Sequence, residues 1–146
     1  MSKLAKQIMT SSPQCCSAET LLTEVARHMV ESDCGEIPVT DGSNRLVGVI
    51  TDRDIVCRAV AKGKDPSRVT AGECMSQPVV VVKEDSTLDE VMDVMEKNQI
   101  RRVPVVDASG SCCGIISQAD IALCANEERA GELVREVSKD SLSVSH

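Results

Sequence analysis

The sequence predicts an α+β protein (α/β by some schemes) built from two β-α-β-β-α repeats that pack about a pseudo-twofold axis. Residues 36–41 and 48–55 recur as residues 102–107 and 114–121, each time 66 positions later (102 − 36). Both copies also show the same order of short apolar runs and amphipathic stripes. A unit this small buries its own core poorly, so the two copies should pack together, with a ligand pocket between them.

Each copy begins with a short β run, residues 14–17 or 79–82, followed by a helix. The apolar residues of both helices recur at the i, i+3, i+4, i+7 spacing of one buried face. They are Leu21, Leu22, Val25, Ala26, Met29 and Val30 in the first copy, and Leu88, Val91, Met92 and Met95 in the second. Thr87 and Glu90 form a Ser/Thr-x-x-Glu capping box, which marks a helix start.

A proline-containing strand comes next, at residues 37–40 or 103–106. Pro38 and Pro104 are expected at a sheet edge or strand start, because proline has no N–H to donate to a ladder. After a turn, a second β run pairs back, and a last helix begins at Thr51 or Ser117. The first of these helices should end near Gly63, where glycine follows a basic residue.

We therefore divide the chain into a first repeat with its connector (residues 1–69), a second repeat (residues 70–130) and a C-terminal segment (residues 131–146). A further amphipathic helical pattern carries Ala130, Leu133, Val134 and Val137. The polar residues 138–146 are predicted to form a frayed tail.

Composition excludes several classes of partner. The formal net charge is −7 and the chain has no Phe, Tyr or Trp, so it repels phosphate backbones and cannot stack bases on aromatic rings. Nucleic acid is therefore not an expected partner. No apolar run approaches the ~18 residues of a membrane helix, and the first residues lack the apolar core of a signal peptide. We expect a cytoplasmic protein with no membrane partner.

The eight cysteines do not show a metal-binding spacing, since no Cys-x-x-Cys pair occurs. In a reduced cytosol they are predicted to be small buried hydrophobes, with metal binding or redox sensing as the alternatives. The sequence also lacks a Ser-His-Asp or Cys-His arrangement and a Gly-x-x-x-x-Gly-Lys phosphate loop. With one internal histidine for acid–base work, we expect no enzyme activity, no metal site and no catalytic cofactor.

Two segments carry candidate binding chemistry, Thr51 with Asp54 and Ser117 with Asp120. Each hydroxyl lies where a strand turns into a helix, whose first N–H groups suit a phosphate. Each carboxylate, three residues later, is able to accept both cis hydroxyls of a ribose. This spacing fits a nucleotide. The alternative is structural, because Ser/Thr-x-x-Asp also resembles a capping box. Two copies in register favour the ligand.

Positive charge differs between the copies. Arg53 precedes Asp54 in the first copy, whereas Arg101 and Arg102 precede the proline strand of the second. About a pseudo-twofold axis these arginines would converge on one central cleft. The alternative is that they are solvated surface charges.

These residues resemble the tandem CBS-domain family, also called the Bateman module, over residues 4 to 126. The markers are Met9-Thr10-Ser11-Ser12-Pro13 and Met75-Ser76-Gln77-Pro78, the strands Ile37-Pro38-Val39 and Val103-Pro104-Val105, and two Gly-x-x-Thr/Ser-x-x-Asp segments. The chain is most similar to small stand-alone bacterial CBS-pair proteins, including the hypoxic-response type.

The resemblance implies a regulatory sensor that binds an adenosyl nucleotide, such as AMP, ADP, ATP, NAD or S-adenosylmethionine. It also implies a homodimer that regulates an unidentified protein partner. Asp54 and Asp120 would then hold ribose, and Thr51 and Ser117 would assist ribose or phosphate. The remaining implied contacts are Arg53, Arg101 and Arg102 to phosphate, Ile37, Val39, Val103 and Val105 beside adenine in the strands of Pro38 and Pro104, and main chain near Cys16 and Val80 at the adenine edge.

One residue departs from the pattern. Glu36 is acidic where a phosphate would prefer a base, which disfavours a highly charged ligand in the first cleft. The alternative function is a structural or stress-response interaction protein whose clefts stay empty and which acts through its dimer surface.

Overall fold

The computed structural model describes residues 3–77 and 79–143, and it confirms the α+β class. The helix, two strands and final helix predicted in each copy are present. Two short helices, at residues 5–8 and 71–74, and a strand at residues 10–11 were not predicted. The elements are α1 (Ala5–Ile8), β1 (Thr10–Ser11), α2 (Leu22–Ser32), β2 (Glu36–Thr40), β3 (Leu46–Thr51), α3 (Asp52–Arg58), α4 (Ala71–Cys74), β4 (Val82–Lys83), α5 (Leu88–Asn98), β5 (Arg102–Val106), β6 (Cys112–Ser117), α6 (Gln118–Ala122) and α7 (Glu127–Ser143).

The chain folds into two compact units whose boundaries do not follow the order of the repeats. The first-repeat unit contains Ser12–Val79 and Ser109–Cys112. The second-repeat unit contains Met1–Ser11, Val80–Ala108 and Cys113–His146. The N-terminal segment of each repeat therefore belongs to the unit of the other repeat.

The first-repeat unit is built on the antiparallel β2–β3 hairpin, in which Ile37 lies opposite Ile50. Cys16 adds a parallel bridge to Val39 on the other side of β2. The core also receives α4, which lies at the start of the second repeat in the sequence. Its buried residues are Cys16, Leu22, Val25, Met29, Ile37, Val39, Ile50, Ile55, Ala59, Val69, Ala71 and Cys74.

The second-repeat unit contains a four-stranded sheet in the order β1-β6-β5-β4. Strand β1 is antiparallel to β6, and β4 is parallel to β5. Helix α1 and helix α7 both contribute to its core. The buried residues are Ala5, Ile8, Val82, Val91, Met92, Met95, Val103, Val105, Ile116, Ile121, Leu133 and Val137.

Equivalent main-chain hydrogen bonds hold the N-terminal segment of the other repeat in each unit. The bonded residues of the two units differ by 66 positions. These bonds bind the start of α2 or α5, and the loop before it, to the segment that carries α4 or α1. The bonds are Leu22 N to Val69 O (2.9 Å), Ala71 N to Thr20 O (2.7 Å) and Gly72 N to Ala18 O (2.8 Å), matched by Leu88 N to Lys3 O (2.8 Å), Ala5 N to Ser86 O (2.7 Å) and Lys6 N to Glu84 O (2.9 Å).

A glycine–methionine contact accompanies these bonds in both units. Met75 lies against Gly48 of β3, and Met9 lies against Gly114 of β6. A Cβ atom on either glycine would overlap the methionine sulfur. The glycine of each Gly-x-x-Thr/Ser-x-x-Asp segment is therefore required by packing, because only a residue without a side chain leaves room for methionine.

Several sequence predictions need correction at the level of single residues. Helix α2 begins at Leu22, which leaves Leu21 outside the helix and 41% exposed. Val30 lies within the helix but is 81% exposed, so neither residue belongs to the buried face. Only Cys16 of residues 14–17 makes a ladder contact, and the matching strand is Val82–Lys83. Strand ends this short depend on the partner strand, which local pattern does not reveal.

The two proline strands also differ from each other. Strand β5 lies inside its sheet, so Pro104 is not on an edge strand. Its missing N–H is tolerated because the pairing of β5 with β4 starts only at Val105. The predicted stop near Gly63 corresponds to a 3₁₀ turn after α3, and Gly63 ends that turn with φ of +75°.

Helix α7 is longer than predicted, because residues 138–143 are helical rather than a frayed tail. Residues 144–146 lie outside the described part of the chain. Leu133 and Val137 are each 1% exposed, whereas Val134 is 41% exposed. Arg129 anchors the helix through ion pairs with Glu96 and with Asp93 (3.0 Å). Among the described helices, none has the length and apolar content needed to cross a bilayer.

The packing of the paired glycines predicts opposite effects at matched positions. We expect Gly48→Ala and Gly114→Ala each to lower the free energy of unfolding by about 1–3 kcal/mol, because the added methyl group overpacks the methionine. Gly131→Ala in α7, where a Cβ meets open space, should instead raise it by up to about 1 kcal/mol through better helix propensity. Urea unfolding followed by circular dichroism measures all three, and equal effects would contradict the packing explanation.

Candidate functional site

The predicted site residues divide between the two units, and each unit has one locus centred on an aspartate. The Asp54 locus lies in the first-repeat unit, with Cys16, Ile37, Pro38, Val39, Thr51 and Arg53. The Asp120 locus lies in the second-repeat unit, with Val80, Arg101, Arg102, Val103, Pro104, Val105 and Ser117.

Both aspartates are held by a closed capping box. Thr51 Oγ1 accepts a hydrogen bond from Asp54 N (3.0 Å), and Asp54 Oδ2 accepts one from Thr51 N (3.0 Å). Ser117 and Asp120 repeat this pair at 3.2 and 2.8 Å. The capping role, which the sequence offered as the structural alternative to ligand binding, is therefore present at both helix starts. It still leaves each hydroxyl proton available for donation and one carboxylate oxygen outside the box.

The Asp54 carboxylate has further partners. Ser76 Oγ lies 3.4 Å from both of its oxygens, and Arg58 Nε lies 3.7 Å from Oδ1. Arg58 is held in turn, because its Nη1 donates to Cys74 O (3.2 Å) and Met75 O (3.1 Å). The Asp54 side chain is only 13% exposed. Its carboxylate is thus engaged on both oxygens.

The Asp120 carboxylate has a simpler environment. The residue equivalent to Ser76 is Thr10 of β1, and the residue equivalent to Arg58 is Cys124, which carries no charge to pair with an aspartate. In the part of the chain that the structure describes, the bond from Ser117 N is the contact seen to this carboxylate. The two loci therefore share the same capping hydrogen bonds. They differ because Ser76 and Arg58 contact the Asp54 carboxylate, whereas Thr10 and the uncharged Cys124 stand at the equivalent positions.

The apolar side chains of the two proline strands lie in the cores of their units. Ile37, Val39, Val103 and Val105 are all 0% exposed, because they form the centres of the two cores. Pro38 and Pro104 are also buried.

The main chain that was predicted to read the adenine edge has a definite pairing. Cys16 N donates to Pro38 O (3.0 Å), and Cys16 O accepts from Thr40 N (2.9 Å). The residue equivalent to Cys16 is Val82, which pairs with Val105 as Cys16 pairs with Val39. Val80 is half-buried, two residues before Val82.

The arginines lie in different units. Arg53 is exposed in the first-repeat unit, at the first turn of α3. Arg101 is exposed in the second-repeat unit and its main-chain oxygen accepts from Gln118 N (2.9 Å), while Arg102 opens β5 and is half-buried. Their convergence on one ligand stays a prediction.

Two residues at the Asp54 locus were missed by the sequence reasoning. Ser76 belongs to the repeat marker Met75-Ser76-Gln77-Pro78, and Arg58 lies four residues after Asp54, but neither is among the predicted site residues. The i, i+4 spacing of Asp54 and Arg58 on one helix was the signal for the second. The contact of Ser76 depends on its antiparallel bridge to Val49, which has no local signature.

The arrangement is one of hydrogen-bond donors and acceptors. No group of three or more His, Cys, Asp or Glu side chains in the described residues is placed to hold a metal ion. All eight cysteines are thiols. Burial raises the pKa of Cys16, next to the Asp54 locus, to about 12, so this thiol is a poor nucleophile at neutral pH.

Comparison with known proteins points to one family. The model of the CBS domain matches residues 5–60 and again residues 71–126. Hypoxic response protein 1 of Mycobacterium tuberculosis (strain ATCC 25618 / H37Rv) is 39% identical over 118 residues, which is 81% of this chain and 82% of the relative.

Two solved structures extend the comparison. The crystal structure of Hypoxic Response Protein I, with two coordinated zinc ions, has a TM-score of 0.78 and 37% identity, and it matches 85% of this chain and 100% of its own. The CBS domain pair of protein MJ0100, in complex with 5-methylthioadenosine and S-adenosyl-L-methionine, has a TM-score of 0.76 and 31% identity, over 84% of this chain and 95% of its own.

The capping boxes predict a stability cost that is independent of any ligand. We expect Thr51→Ala and Ser117→Ala each to lower the free energy of unfolding by about 1 kcal/mol, because each removes an N-cap acceptor. Ser43→Ala, at an exposed turn position, is the control and should change little. Thermal unfolding of the ligand-free variants, followed by circular dichroism, is the measurement. Wild-type stability in both cap variants would show that these boxes do not hold the loci.

Proposed function

Because the chain belongs to the CBS-domain family and carries two copies of that domain, we propose that it is a regulatory module that binds an adenosyl compound. The observation that carries the proposal is the pair of equivalent carboxylates, Asp54 and Asp120. Each stands at the start of a helix beside a hydroxyl whose proton is available. The ligands of the CBS pair of MJ0100, at 31% identity, support an adenosyl ligand.

The chemistry of ribose matches this arrangement. Two vicinal hydroxyls donate to one carboxylate through charge-assisted hydrogen bonds, which are stronger than bonds between neutral groups. Thr51 or Ser117 then donates its hydroxyl proton to a ribose or phosphate oxygen. The hydrogen-bonded main chain at Cys16 and the equivalent main chain at Val82 would then lie near the base.

Charge favours one class of adenosyl compound. The net charge of −7 and the acidic Glu36 disfavour a polyanion such as ATP. S-adenosylmethionine carries a sulfonium cation, and 5-methylthioadenosine carries no phosphate. We therefore place these two ahead of AMP, ADP, ATP and NAD. The phosphorylated compounds would depend on Arg53, Arg101 and Arg102.

The Asp120 locus is the better candidate for the first ligand. At Asp54 the ribose hydroxyls would have to displace Ser76 Oγ and compete with the Arg58 guanidinium. At Asp120 the described residues present no such competitor. Displacing a donor costs the hydrogen bond that it made, so equal ribose contacts give weaker net binding at Asp54.

A regulatory function also requires an assembly and a protein partner that respond to the bound ligand. A homodimer, a protein partner that reads the bound state and a cytoplasmic location remain predictions, as does the absence of enzyme activity. Large exposed apolar side chains on α2, on α3 and beyond it, namely Val30, Val56 and Val60, support an interaction surface on the first-repeat unit.

Ligand-dependent stabilisation tests the proposal. S-adenosylmethionine or 5-methylthioadenosine at 100 times its dissociation constant should stabilise the fold by about 2.7 kcal/mol. Asp120→Asn, which keeps the side-chain volume, should abolish most of this gain, whereas the exposed control Asp85→Asn should retain it. The melting midpoint of each variant with ligand is compared with its own midpoint without ligand. Unfolding is followed by circular dichroism, because the chain has no Trp or Tyr whose fluorescence could be measured. No shift with these compounds or with AMP, ADP, ATP and NAD at millimolar concentration would favour the structural protein with empty clefts.

Exchange of the differing residues tests the asymmetry between the loci. Cys124→Arg should weaken binding at Asp120 by about tenfold, the effect of losing or competing with one charged hydrogen bond. Arg58→Cys with Ser76→Thr should strengthen binding at Asp54 and raise the stoichiometry seen by isothermal titration calorimetry. The unliganded melting midpoint controls for folding. Unchanged affinity in folded Cys124→Arg would show that the charge at this position does not set the order of binding.

A further inference from the structure

Two methionines occupy equivalent places in the two units, 66 positions apart (75 − 9). Met75 lies against Gly48 of β3, and Met9 lies against Gly114 of β6. In both cases the sulfur is the atom nearest to the place that a Cβ on the glycine would take. Each thioether therefore fills the room that the missing side chain leaves and is packed tightly against the strand.

The two matched methionines are more accessible than the others that the structure describes. Met9 and Met75 are half-buried, at the residues that end α1 and α4. Met29, Met92 and Met95 are 8%, 1% and 0% exposed and lie in the two cores. The thioether is the same group in all five residues, so access should decide which sulfur reacts with a small oxidant.

The main chain around Met75 is bonded to the Asp54 locus. Met75 O accepts a hydrogen bond from Arg58 Nη1 (3.1 Å). The next residue, Ser76, exchanges two main-chain bonds with Val49, of 2.8 and 3.3 Å. Ser76 Oγ and Arg58 Nε approach the Asp54 carboxylate, at 3.4 and 3.7 Å. A displacement of Met75 would therefore disturb both of these contacts.

The main chain after Met9 has the equivalent place in the second-repeat unit. Thr10 lies opposite Ile115 in the pairing of β1 with β6. Strand β6 ends at Ser117, the residue that caps the helix of Asp120. The contact of each methionine with its glycine thus supports the pair of strands beside an aspartate locus.

We propose that Met9 and Met75 are sites of oxidation by hydrogen peroxide, and that their sulfoxides loosen the N-terminal segment of each repeat on the unit that it completes. A sulfur lone pair attacks one oxygen of the peroxide, so that an S–O bond forms and the O–O bond breaks. The leaving hydroxide takes the proton from the transferred oxygen and departs as water. Two electrons pass from the thioether to the peroxide. This modification is independent of any ligand at the aspartates.

The sulfoxide does not fit the place of the thioether. It carries one more heavy atom than methionine, and its S–O group is polar. The sulfur already touches the strand on the glycine side, and an S–O group held there without a hydrogen-bond donor costs free energy. The oxidised side chain of Met75 should therefore leave Gly48, and the main-chain bonds between Ser76 and Val49 should open more often.

The first experiment oxidises the folded full chain with a limiting amount of hydrogen peroxide. Dithiothreitol then reduces disulfides and sulfenic acids of the cysteines and leaves the sulfoxides in place. Trypsin separates the methionines into peptides 7–27 (Met9), 28–45 (Met29), 69–83 (Met75) and 84–97 (Met92 and Met95), and fragmentation in the mass spectrometer locates the added oxygen.

Met9 and Met75 should be oxidised before Met92 and Met95 in the folded protein. Oxidation in urea, where all these sulfurs are exposed, should remove the difference and is the control. Equal rates for the four residues in the folded protein would overturn the assignment of the two sites.

The second experiment measures the structural consequence in the wild type. Oxidation of Met9 and Met75 should lower the melting midpoint by a few degrees and speed amide exchange in residues 46–51 and 75–77. Methionine sulfoxide reductases A and B, with dithiothreitol as reductant, return sulfoxides to thioethers. They should restore both properties, which separates this effect from irreversible oxidation of cysteine. An unchanged midpoint and unchanged exchange in protein oxidised at both residues would overturn the proposed loosening.

Leucine variants assign the effect to the two sites, because leucine has a similar volume and is not oxidised. The double variant Met9→Leu with Met75→Leu should keep its own midpoint after peroxide treatment, whereas the control Met92→Leu should lose stability as the wild type does. A loss in the folded double variant equal to that of the wild type would contradict the proposal. The two wild-type experiments decide the question if the double variant does not fold.

Discussion

The exchange of the N-terminal segments of the two repeats is the constraint on which the rest of this structure depends. Each repeat on its own has a hairpin or small sheet and two short helices, too little to enclose a core. Main-chain bonds from Leu22 to Val69, and from Leu88 to Lys3, bring the missing helix to each unit. The same segments place Met75 against Gly48 and Met9 against Gly114, the glycines of the two Gly-x-x-Thr/Ser-x-x-Asp segments. The packing that completes each core therefore also positions the segment that carries the aspartate.

This dependence explains why the two loci are alike in backbone and different in chemistry. The capping boxes of Asp54 and Asp120 follow from local sequence and repeat closely, because a strand that turns directly into a helix needs a cap. The residues delivered from other elements do not repeat. Ser76 and Arg58 engage Asp54, whereas Thr10 and Cys124 stand at the equivalent places of the other unit. The two loci therefore differ only in the side chains around a shared set of main-chain and capping hydrogen bonds.

The β2–β3 hairpin has two tasks in the first-repeat unit. One end leads through Thr51 into the aspartate locus, and the turn at the other end binds the main chain of Cys112 through Asn44.

The sequence by itself determined the repeat of 66 residues, the order helix, strand, strand, helix within each copy, the helix caps at Thr51 and Ser117 and the α+β class. These features follow from local periodicity and capping, which are encoded by residues within a few positions of one another. Only the tertiary structure decided which segment completes which core, that Val30 is exposed while Leu133 is buried, that α7 continues to Ser143, and that Ser76 and Arg58 meet Asp54. Those outcomes depend on contacts between residues far apart in the chain, whose free energy no local pattern records.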